Sequence, residues 1–419
     1  MPAMKPDTHP TLPLAGLAVL ARTLLLAAAV ALLAGSASAL FLRALDLATA
    51  ARLASPWLLA GLPLAGFLVG WVYLRLGGRS DGGNNLLIDE IHEPSQALPL
   101  RMAPLVLAAT IVSHLFGASV GREGTAVQMG GALADQIARA LRLEREDRPV
   151  LLMCGIAAGF GSVFGTPLAG AVFALEVLAV GRLHHAVLLP CLVSALLADR
   201  VALLWGVTHS HYPVAPFAAL TLQQLAALLL AGVLFGLTAR LFATGSHVLA
   251  DQFRRRIAWA PLRPLLGGCV IAGLAWGLGA ERYLGLGLPV IEQAFGQPLP
   301  AWDFAGKLAF TIASVGSGFK GGEVTPLFFI GATLGNALAP LLQLPFDLLA
   351  AVGLVAVFAG AANTPLACTL MAVELFGAAL AMPAAIACAA SYLCSGPLGI
   401  YKAQRAGAGK AARAPIAKS

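Results

Sequence analysis

A succession of apolar stretches runs through almost the whole chain, with only short polar segments between them. About 20 apolar residues are enough to cross the roughly 30 Å of hydrocarbon in a bilayer. Only 11% of the 419 residues are charged, against about a quarter in soluble domains. Because backbone polar groups in lipid must be satisfied within the chain, helices are favoured. The sequence therefore predicts an all-α polytopic membrane protein. The apolar stretches centre near residues 15–50, 56–76, 100–118, 126–142, 150–162, 166–181, 186–206, 220–245, 262–280, 304–315, 325–345, 348–361, 366–380 and 383–396.

The formal net charge of +7 is carried by basic residues that lie in short clusters between the apolar stretches. They occur at Lys5, at residues 254–256 and in the tail at residues 402–418. Clusters of this kind are typical of the cytoplasmic loops of membrane proteins. We therefore expect no nucleic-acid partner. We expect a multi-pass protein in the lipid bilayer of the cell membrane, inner or plasma, with both termini in the cytoplasm.

The six cysteines lie inside apolar stretches and form neither a CxxC motif nor a Cys/His spacing. We interpret them as small hydrophobic residues and expect no metal and no cofactor. An intramembrane enzyme would need a nucleophile with a base, or metal ligands. Ser113 and His114 are adjacent, but no HExxH motif or paired carboxylate accompanies them. The sequence predicts a transporter and not an enzyme.

Several apolar stretches are too short to cross a membrane alone. Residues 304–315 and 366–380 are flanked by glycine-rich turns. Broken or re-entrant helices have this pattern, and they are tolerated in a membrane only where they line a cavity walled by protein. These stretches indicate a translocation site.

Segments of the first half of the chain recur in the second half. Residues 121–125, Gly-Arg-Glu-Gly-Thr, match residues 321–325, Gly-Gly-Glu-Val-Thr, at an offset of 200. Residues 166–169, Thr-Pro-Leu-Ala, match residues 364–367 at an offset of 198, and a glutamate follows each proline nine positions later. Two matches at nearly one offset predict a duplicated unit.

The duplication predicts two halves, residues 15–205 and 215–400, joined through the proline-containing stretch at residues 206–217. Internal repeats with discontinuous helices at their interface are typical of ion-coupled transporters, whose site lies near the middle of the membrane. These residues alone leave open whether the repeat is inverted.

Glu123 stands between two glycines, directly before a run that predicts a helix. A helix N-terminus carries free N–H groups and positive dipole, so it favours an anion. A carboxylate there occupies the site when ionised and leaves it when protonated, which makes anion and proton passage mutually dependent. Since carboxylates inside a membrane are functional by default, we predict that Glu123 is gate and proton carrier. The alternative is a capping residue paired with Arg122. Glu323 is its counterpart in the second half.

Two further segments carry polar groups that suit an anion. Residues 82–86, Gly-Gly-Asn-Asn-Leu, place the amides of Asn84 and Asn85 beside glycines; this is ordinary turn composition, or else a pair of neutral donors for a small, strongly hydrated anion. Tyr401 is either an anchor at the membrane interface or a phenol donor. Residues 316–321 match GxGxxG, but no strand precedes them, so we interpret them as open backbone between half-helices and not as a dinucleotide site.

Taken together, these motifs resemble the CLC family of chloride channels and anion/proton antiporters, from about residue 15 to 402. The resemblance is carried by Gly-Arg-Glu-Gly at residues 121–124, by the paired Pro-Leu-Ala helices and by Tyr401. It implies the CLC fold, with two inverted halves and broken helices. It also implies a homodimer with one pathway in each protomer.

Three departures from the chloride-type pattern resemble the fluoride-exporting CLC-F branch. The first anion loop of chloride-type members reads Gly-Ser-Gly-Ile-Pro, whereas residues 83–87 read Gly-Asn-Asn-Leu-Leu. Thr125 stands where those members have proline, and residues 322–326 read Gly-Glu-Val-Thr-Pro in place of Gly-x-Phe-x-Pro. The likeness to that branch implies fluoride/proton antiport and a chain whose short basic tail, residues 401–419, leaves no room for CBS domains. The N-terminal lead is then residues 1–14 and the membrane domain residues 15–400.

The resemblance also implies roles for individual residues. Asn84 becomes the anion-site residue, with Asn85 beside it, Thr325 a fluoride hydroxyl ligand and Tyr401 the central tyrosine. Glu123 becomes the gating, proton-carrying glutamate, and Glu323 a second proton-handling carboxylate. The paired glutamate that faces the inside in many chloride/proton antiporters is absent, because Val177 follows Glu176. Aromatic residues lining a fluoride path are not evident after Asn85 and stay unassigned. The alternative is a chloride/proton antiporter or a passive chloride channel with the same fold.

Overall fold

The computed structural model describes residues 14–181, 185–210, 212–217 and 220–405. The predicted lead up to residue 13 and the tail from residue 406 lie outside these ranges. Within them the backbone forms sixteen α-helices and short 3₁₀ and π turns, and its only β pairing is two isolated bridges. The all-α prediction is confirmed. The helices are α1 (Leu14–Ala54), α2 (Leu62–Val72), α3 (Gly83–His92), α4 (Met102–Leu115), α5 (Glu123–Ala140), α6 (Asp147–Phe164), α7 (Pro167–Glu176), α8 (Leu188–Leu204), α9 (Leu222–Arg256), α10 (Leu262–Gly277), α11 (Leu288–Gly296), α12 (Asp303–Ser317), α13 (Val324–Leu342), α14 (Phe346–Ala362), α15 (Pro365–Phe376) and α16 (Ala381–Cys394).

Six helical segments of the described chain are long and apolar enough to cross a membrane, judged by length and composition. Other helices are too short to do so alone. At a rise of 1.5 Å per residue, the 12 residues of α15 reach only about 18 Å of the roughly 30 Å needed. The prediction of broken helices is confirmed. Helices α3 and α11 lie outside the predicted apolar stretches, because each is short and carries several polar residues.

The two halves pack equivalent helix pairs through glycines. In the pair α5 and α6, a Cβ on Gly130 would lie 2.2 Å from the carbonyl oxygen of Gly155. In the pair α13 and α14, a Cβ on Gly331 would lie 2.0 Å from the carbonyl oxygen of Gly353. These approaches bring the helix backbones into direct contact, which only glycine allows.

The short helices α7 and α15 begin in the same way. The helix before each ends at a residue in the left-handed conformation, Gly165 with φ 71° and Asn363 with φ 58°. Glycine and asparagine are the residues that adopt this conformation most readily at a helix end. A Thr-Pro pair follows in both halves, and the prolines, Pro167 and Pro365, start the next helix without needing an N–H partner.

Helices α7 and α15 cap each other. Glu176, the last residue of α7, accepts a hydrogen bond from the amide of Ala367 in the first turn of α15 (2.9 Å) and from the preceding amide (3.1 Å). Glu374, near the end of α15, accepts from the amide of Ala169 in the first turn of α7 (2.8 Å) and from the preceding amide (2.9 Å). Since the end of each helix meets the start of the other, the two are antiparallel and related by a local two-fold axis. The halves are therefore inverted, as predicted.

Candidate functional site

The loops that precede α5 and α13 meet at the interface between the two halves. The amide of Gly121 donates to the carbonyl of Gly322 (2.5 Å), and the amide of Gly322 donates to the carbonyl of Gly121 (2.7 Å). A Cβ on Gly322 would lie 2.8 Å from the nitrogen of Gly124, so a larger residue cannot take this place. The bridge sets the N-termini of α5 and α13 side by side, which concentrates their positive dipole ends.

Glu123 lies in this position with its side chain fully buried. Its Oε1 accepts a hydrogen bond from the hydroxyl of Thr325, and its Oε2 accepts from the amide of Thr325 (3.2 Å). The amide of Arg122 also donates to Oε2 (3.1 Å), and Nε of Arg122 lies 3.6 Å from Oε1. A carboxylate, which is itself an anion, thus occupies a set of donors supplied by both halves of the chain.

Beside this carboxylate lies a small polar cavity of about 150 Å³, which we call the inner cavity. It brings together four of the residues that the sequence singled out, namely Asn84, Asn85, Glu323 and Tyr401. The Asn84 side chain connects it to the Glu123 site, since its Nδ2 would lie 3.1 Å from a Cβ on Gly124. The predicted residues therefore form two adjacent groups, one around the inner cavity and one around Glu123 and Thr325.

Glu123 and Glu323 match in the sequence repeat but differ in the structure. Glu123 is the first residue of α5 and is buried against Thr325. Glu323 precedes the first residue of α13, is half-buried, and lines the inner cavity and a larger cavity next to it. The carboxylate of Glu323 thus faces two cavities, whereas that of Glu123 is enclosed by hydrogen-bond donors.

The two asparagines in the first turn of α3 are used differently. Asn85 Oδ1 accepts a hydrogen bond from the amide of Ala403 (3.0 Å) and so fixes the segment that carries Tyr401. Asn84 Oδ1 is buried, and no residue of the described chain donates to it. Of the two side-chain oxygens, that of Asn85 therefore makes a structural hydrogen bond and that of Asn84 makes none within the described chain.

Tyr401 lies at the edge of an aromatic cluster. It is only 7% exposed, which does not fit an anchor at the membrane interface. The ring of Phe173 meets it edge-on with 6.5 Å between centroids, and Phe173 stacks on Phe160 at 4.4 Å and on Phe358 at 5.9 Å. These rings come from α6, α7 and α14, so no local pattern in the sequence could have indicated them.

Gln128 is a further residue that sequence reasoning missed. It lines the inner cavity, and its side-chain amide lies about 3.4 Å from the place of a Cβ on Gly83. The only signal in the sequence is a polar side chain within the buried helix α5.

The fold and the site together define a class of protein. Two inverted halves hold discontinuous helices whose N-termini meet at a buried carboxylate, with a polar cavity beside it. This is the architecture of a multi-pass secondary transporter. The family model described as voltage gated chloride channel matches residues 65–396. The chain belongs to this family, the CLC family.

Relatives of known name agree with this membership. The "Chloride/fluoride channel protein" of Pseudomonas syringae pv. tomato is 59% identical over 397 residues, which are 93% of this chain and 88% of that protein. The "Voltage-gated ClC-type chloride channel ClcB" of Escherichia coli is 29% identical over 392 residues, 85% of this chain and 91% of that one.

Two solved structures share the fold. A CLC-type fluoride/proton antiporter is 36% identical and superimposes with a TM-score of 0.90 over 93% of this chain and 98% of that one. A slow cyanobacterial Cl⁻/H⁺ antiporter is 22% identical, with a TM-score of 0.80 over 91% of this chain and 96% of that one. The second likeness concerns the fold alone.

Proposed function

We propose that this protein is a fluoride/proton antiporter that exports fluoride from the cytoplasm in exchange for inward protons. The observation that carries the proposal is the position of Glu123, whose carboxylate takes up donors from Thr325 and from a helix N-terminus. The names of the relative at 59% identity and of the structure at 36% identity support fluoride as the substrate.

The donors around the site suit a small, strongly hydrated anion. Fluoride holds its water more firmly than chloride does, so a protein site must replace that water with strong donors at short range. The hydroxyl of Thr325, the phenol of Tyr401 and the side-chain amides of Asn84 and Asn85 supply such donors next to the inner cavity. Hydrogen bonds to a charged partner are roughly twice as strong as neutral ones, which offsets the lost hydration.

The carboxylate of Glu123 links anion movement to proton movement. When ionised, it holds the hydroxyl and amide of Thr325 and the amide of Arg122, and the anion path is closed. Protonation neutralises it and weakens these bonds, so the donors become free for fluoride. In this scheme Glu323, which lines the inner cavity, passes protons between that cavity and Glu123. A proton must then be bound and released in each transport cycle.

The basic residues give an orientation. Arg254, Lys402 and Arg405 line a cavity of about 520 Å³ that shares Asn85 and Glu323 with the inner cavity. We call it the outer cavity relative to the inner cavity, and the name does not refer to the outside of the cell. By the positive-inside rule this end of the molecule faces the cytoplasm.

The beginning of the described chain lies at the same end. Arg22 of α1 pairs with Asp147 at the start of α6 (2.9 Å), and the next residue, Arg148, pairs with Glu90 near the end of α3 (2.9 Å). Arg405 contacts Glu93, which directly follows α3 (2.9 Å). We therefore place both termini in the cytoplasm and the protein in the cell membrane.

We further propose that the protein is a homodimer with one complete pathway in each protomer. Its membership of the CLC family supports this arrangement, and each chain contains the whole set of residues around the inner cavity. Light scattering of the detergent-solubilised protein is expected to give the mass of two chains. A protein that stays monomeric and fully active at all dilutions would contradict it.

Vesicle flux separates fluoride/proton antiport from the alternatives. Purified protein in liposomes loaded with fluoride or chloride is followed with a halide electrode, while a dye reports internal pH. We expect fluoride efflux with proton uptake against a proton gradient, and much slower chloride efflux. Coupled chloride efflux at the same rate would indicate a chloride/proton antiporter. Halide efflux without proton uptake would indicate a passive channel.

A further inference from the structure

Three cavities meet around Asp81. In the sequence, this residue is followed by two glycines and then by Asn84 and Asn85. Asp81 lines the inner cavity, the outer cavity and a third cavity of about 340 Å³, the basic cavity, which Arg254 and Arg263 also line. A residue shared by all three lies at the point where they connect. Asp81 therefore lies where the outer and the basic cavity each adjoin the inner cavity.

Lys320 lies opposite Asp81 at the same point. Its Nζ donates to Oδ1 of Asp81 (2.6 Å) and sits 4.2 Å from the ring centroid of Tyr73. Lys320 comes two residues before Gly322, in the loop that precedes α13, whereas Asp81 belongs to the loop before α3. The ion pair therefore joins a loop from each half of the chain across the entrance to the inner cavity.

Lys320 is the one cationic side chain among the described residues that line the inner cavity. Two cations of the outer cavity have carboxylate partners outside the inner cavity. Lys402 pairs with Asp251 (3.5 Å), and Arg405 pairs with Glu93 (2.9 Å). Lys320 is thus the cation best placed to meet an anion on its way to Asn84.

We propose that Lys320 captures the transported anion at the entrance to the inner cavity, and that Asp81 is a tethered carboxylate which occupies Lys320 until an anion displaces it. The proposal rests on the proposed anion transport and adds a capture step before the Glu123 site. Asp81 can leave because 63% of its side chain is exposed, whereas Lys320, 24% exposed, is held against Tyr73. An exposed pair of this kind contributes little to folding stability, so a purely structural role does not explain its place.

The two partners have opposite effects in this scheme. Without the carboxylate of Asp81, the charge of Lys320 is always available, and anions are captured at lower concentration. Without the charge of Lys320, capture is lost, and the local potential of the entrance becomes negative. A salt bridge that merely joined the two loops would respond in the same direction to loss of either partner.

The test compares Asp81→Asn, Lys320→Gln and Lys320→Arg in liposomes, by measuring initial efflux against internal halide concentration. We expect Asp81→Asn to lower the half-saturating concentration about threefold or more, and Lys320→Gln to raise it by a similar factor, as is typical of charges that steer ions. Lys320→Arg should stay near wild type. The effect of Lys320→Gln should shrink as an impermeant salt screens the entrance.

Asp147→Asn is the matched control, because it breaks the ion pair with Arg22 (2.9 Å), in which neither residue lines the three cavities. Equal shifts in the same direction for Asp81→Asn and Lys320→Gln, or no shift in either, would overturn the capture step. If wild type moves chloride but not fluoride, the substrate assignment is wrong and the same comparison is made with chloride. A wild type that moves neither halide would contradict the proposed function and the capture step together.

Discussion

Glu123 and Thr325 come from opposite halves of the chain, yet the carboxylate of Glu123 accepts hydrogen bonds from both the hydroxyl and the amide of Thr325. The contact depends on the paired backbones of Gly121 and Gly322, which bring the two loops together. The donor that the sequence predicts as a fluoride ligand thus holds a carboxylate in the structure. Glutamate and fluoride would therefore compete for the same hydroxyl.

Glu123→Gln is expected to abolish proton coupling. The amide stays neutral at every pH, so it cannot alternate between an anion that fills the site and an acid that carries a proton. Proton movement driven by a fluoride gradient should fall to the level of protein-free vesicles, as measured with a pH dye. Glu144→Gln, at an exposed position in the loop before α6, is the control and should behave as wild type. A Glu123→Gln protein that still moves protons uphill at the wild-type ratio would place the gate elsewhere.

Thr325→Val removes the hydroxyl with little change of shape, whereas Thr325→Ser keeps it. Since a hydrogen bond to a charged group contributes about 1.5–3 kcal/mol, the valine variant should need about tenfold more fluoride for half-maximal efflux. The serine variant should lie within a small factor of wild type. Initial efflux rates at varied fluoride concentration measure both. If the two variants behave alike, the hydroxyl is not an anion ligand.

Asn84→Ser is expected to raise chloride efflux relative to fluoride efflux by about tenfold, which corresponds to about 1.4 kcal/mol, the size of one hydrogen bond. Asn84 lines the inner cavity, and its Nδ2 would lie 3.1 Å from a Cβ on Gly124, so its N–H donors are close to the Glu123 site. Asn85→Ser is expected to change the halide ratio less, because the oxygen of Asn85 is already bonded to the amide of Ala403. An unchanged halide ratio for Asn84→Ser with intact flux would remove Asn84 from the selectivity site.

Gly331→Ala is expected to destabilise the fold by about 1–3 kcal/mol, the usual cost of overpacking a core. Its Cβ would lie 2.0 Å from the carbonyl oxygen of Gly353, so α13 and α14 must move apart. Gly273→Ala, at an exposed position of α10 with no atom within 4 Å of the new Cβ, is the control and should be neutral or slightly stabilising. Thermal unfolding in detergent compares them. Equal unfolding temperatures would show that the α13–α14 contact is not close-packed in the membrane protein.

Features that depend on local sequence were predictable. The apolar stretches predicted the membrane helices, because a segment in lipid must satisfy its own backbone groups. The matching segments at residues 121–125 and 321–325 predicted two related halves, and the resemblance to the CLC family predicted that they are inverted. The mutual capping of Glu176 and Glu374 was not predictable, since it depends on the antiparallel contact of two helices about 200 residues apart.

The sequence by itself determined that the chain is helical, spans a membrane and repeats one unit, because apolar length, charge and motif spacing are properties of short segments. It also determined which polar side chains fall at the breaks between helices, such as Asn84, Glu123 and Thr325. Only the tertiary structure decided that Glu123 contacts Thr325, that Glu323 faces the cavity and that Lys320 meets Asp81 at its entrance. The contacts of Glu123 with Thr325 and of Lys320 with Asp81 join residues about 200 or more positions apart, and their distances follow from how the two inverted halves pack.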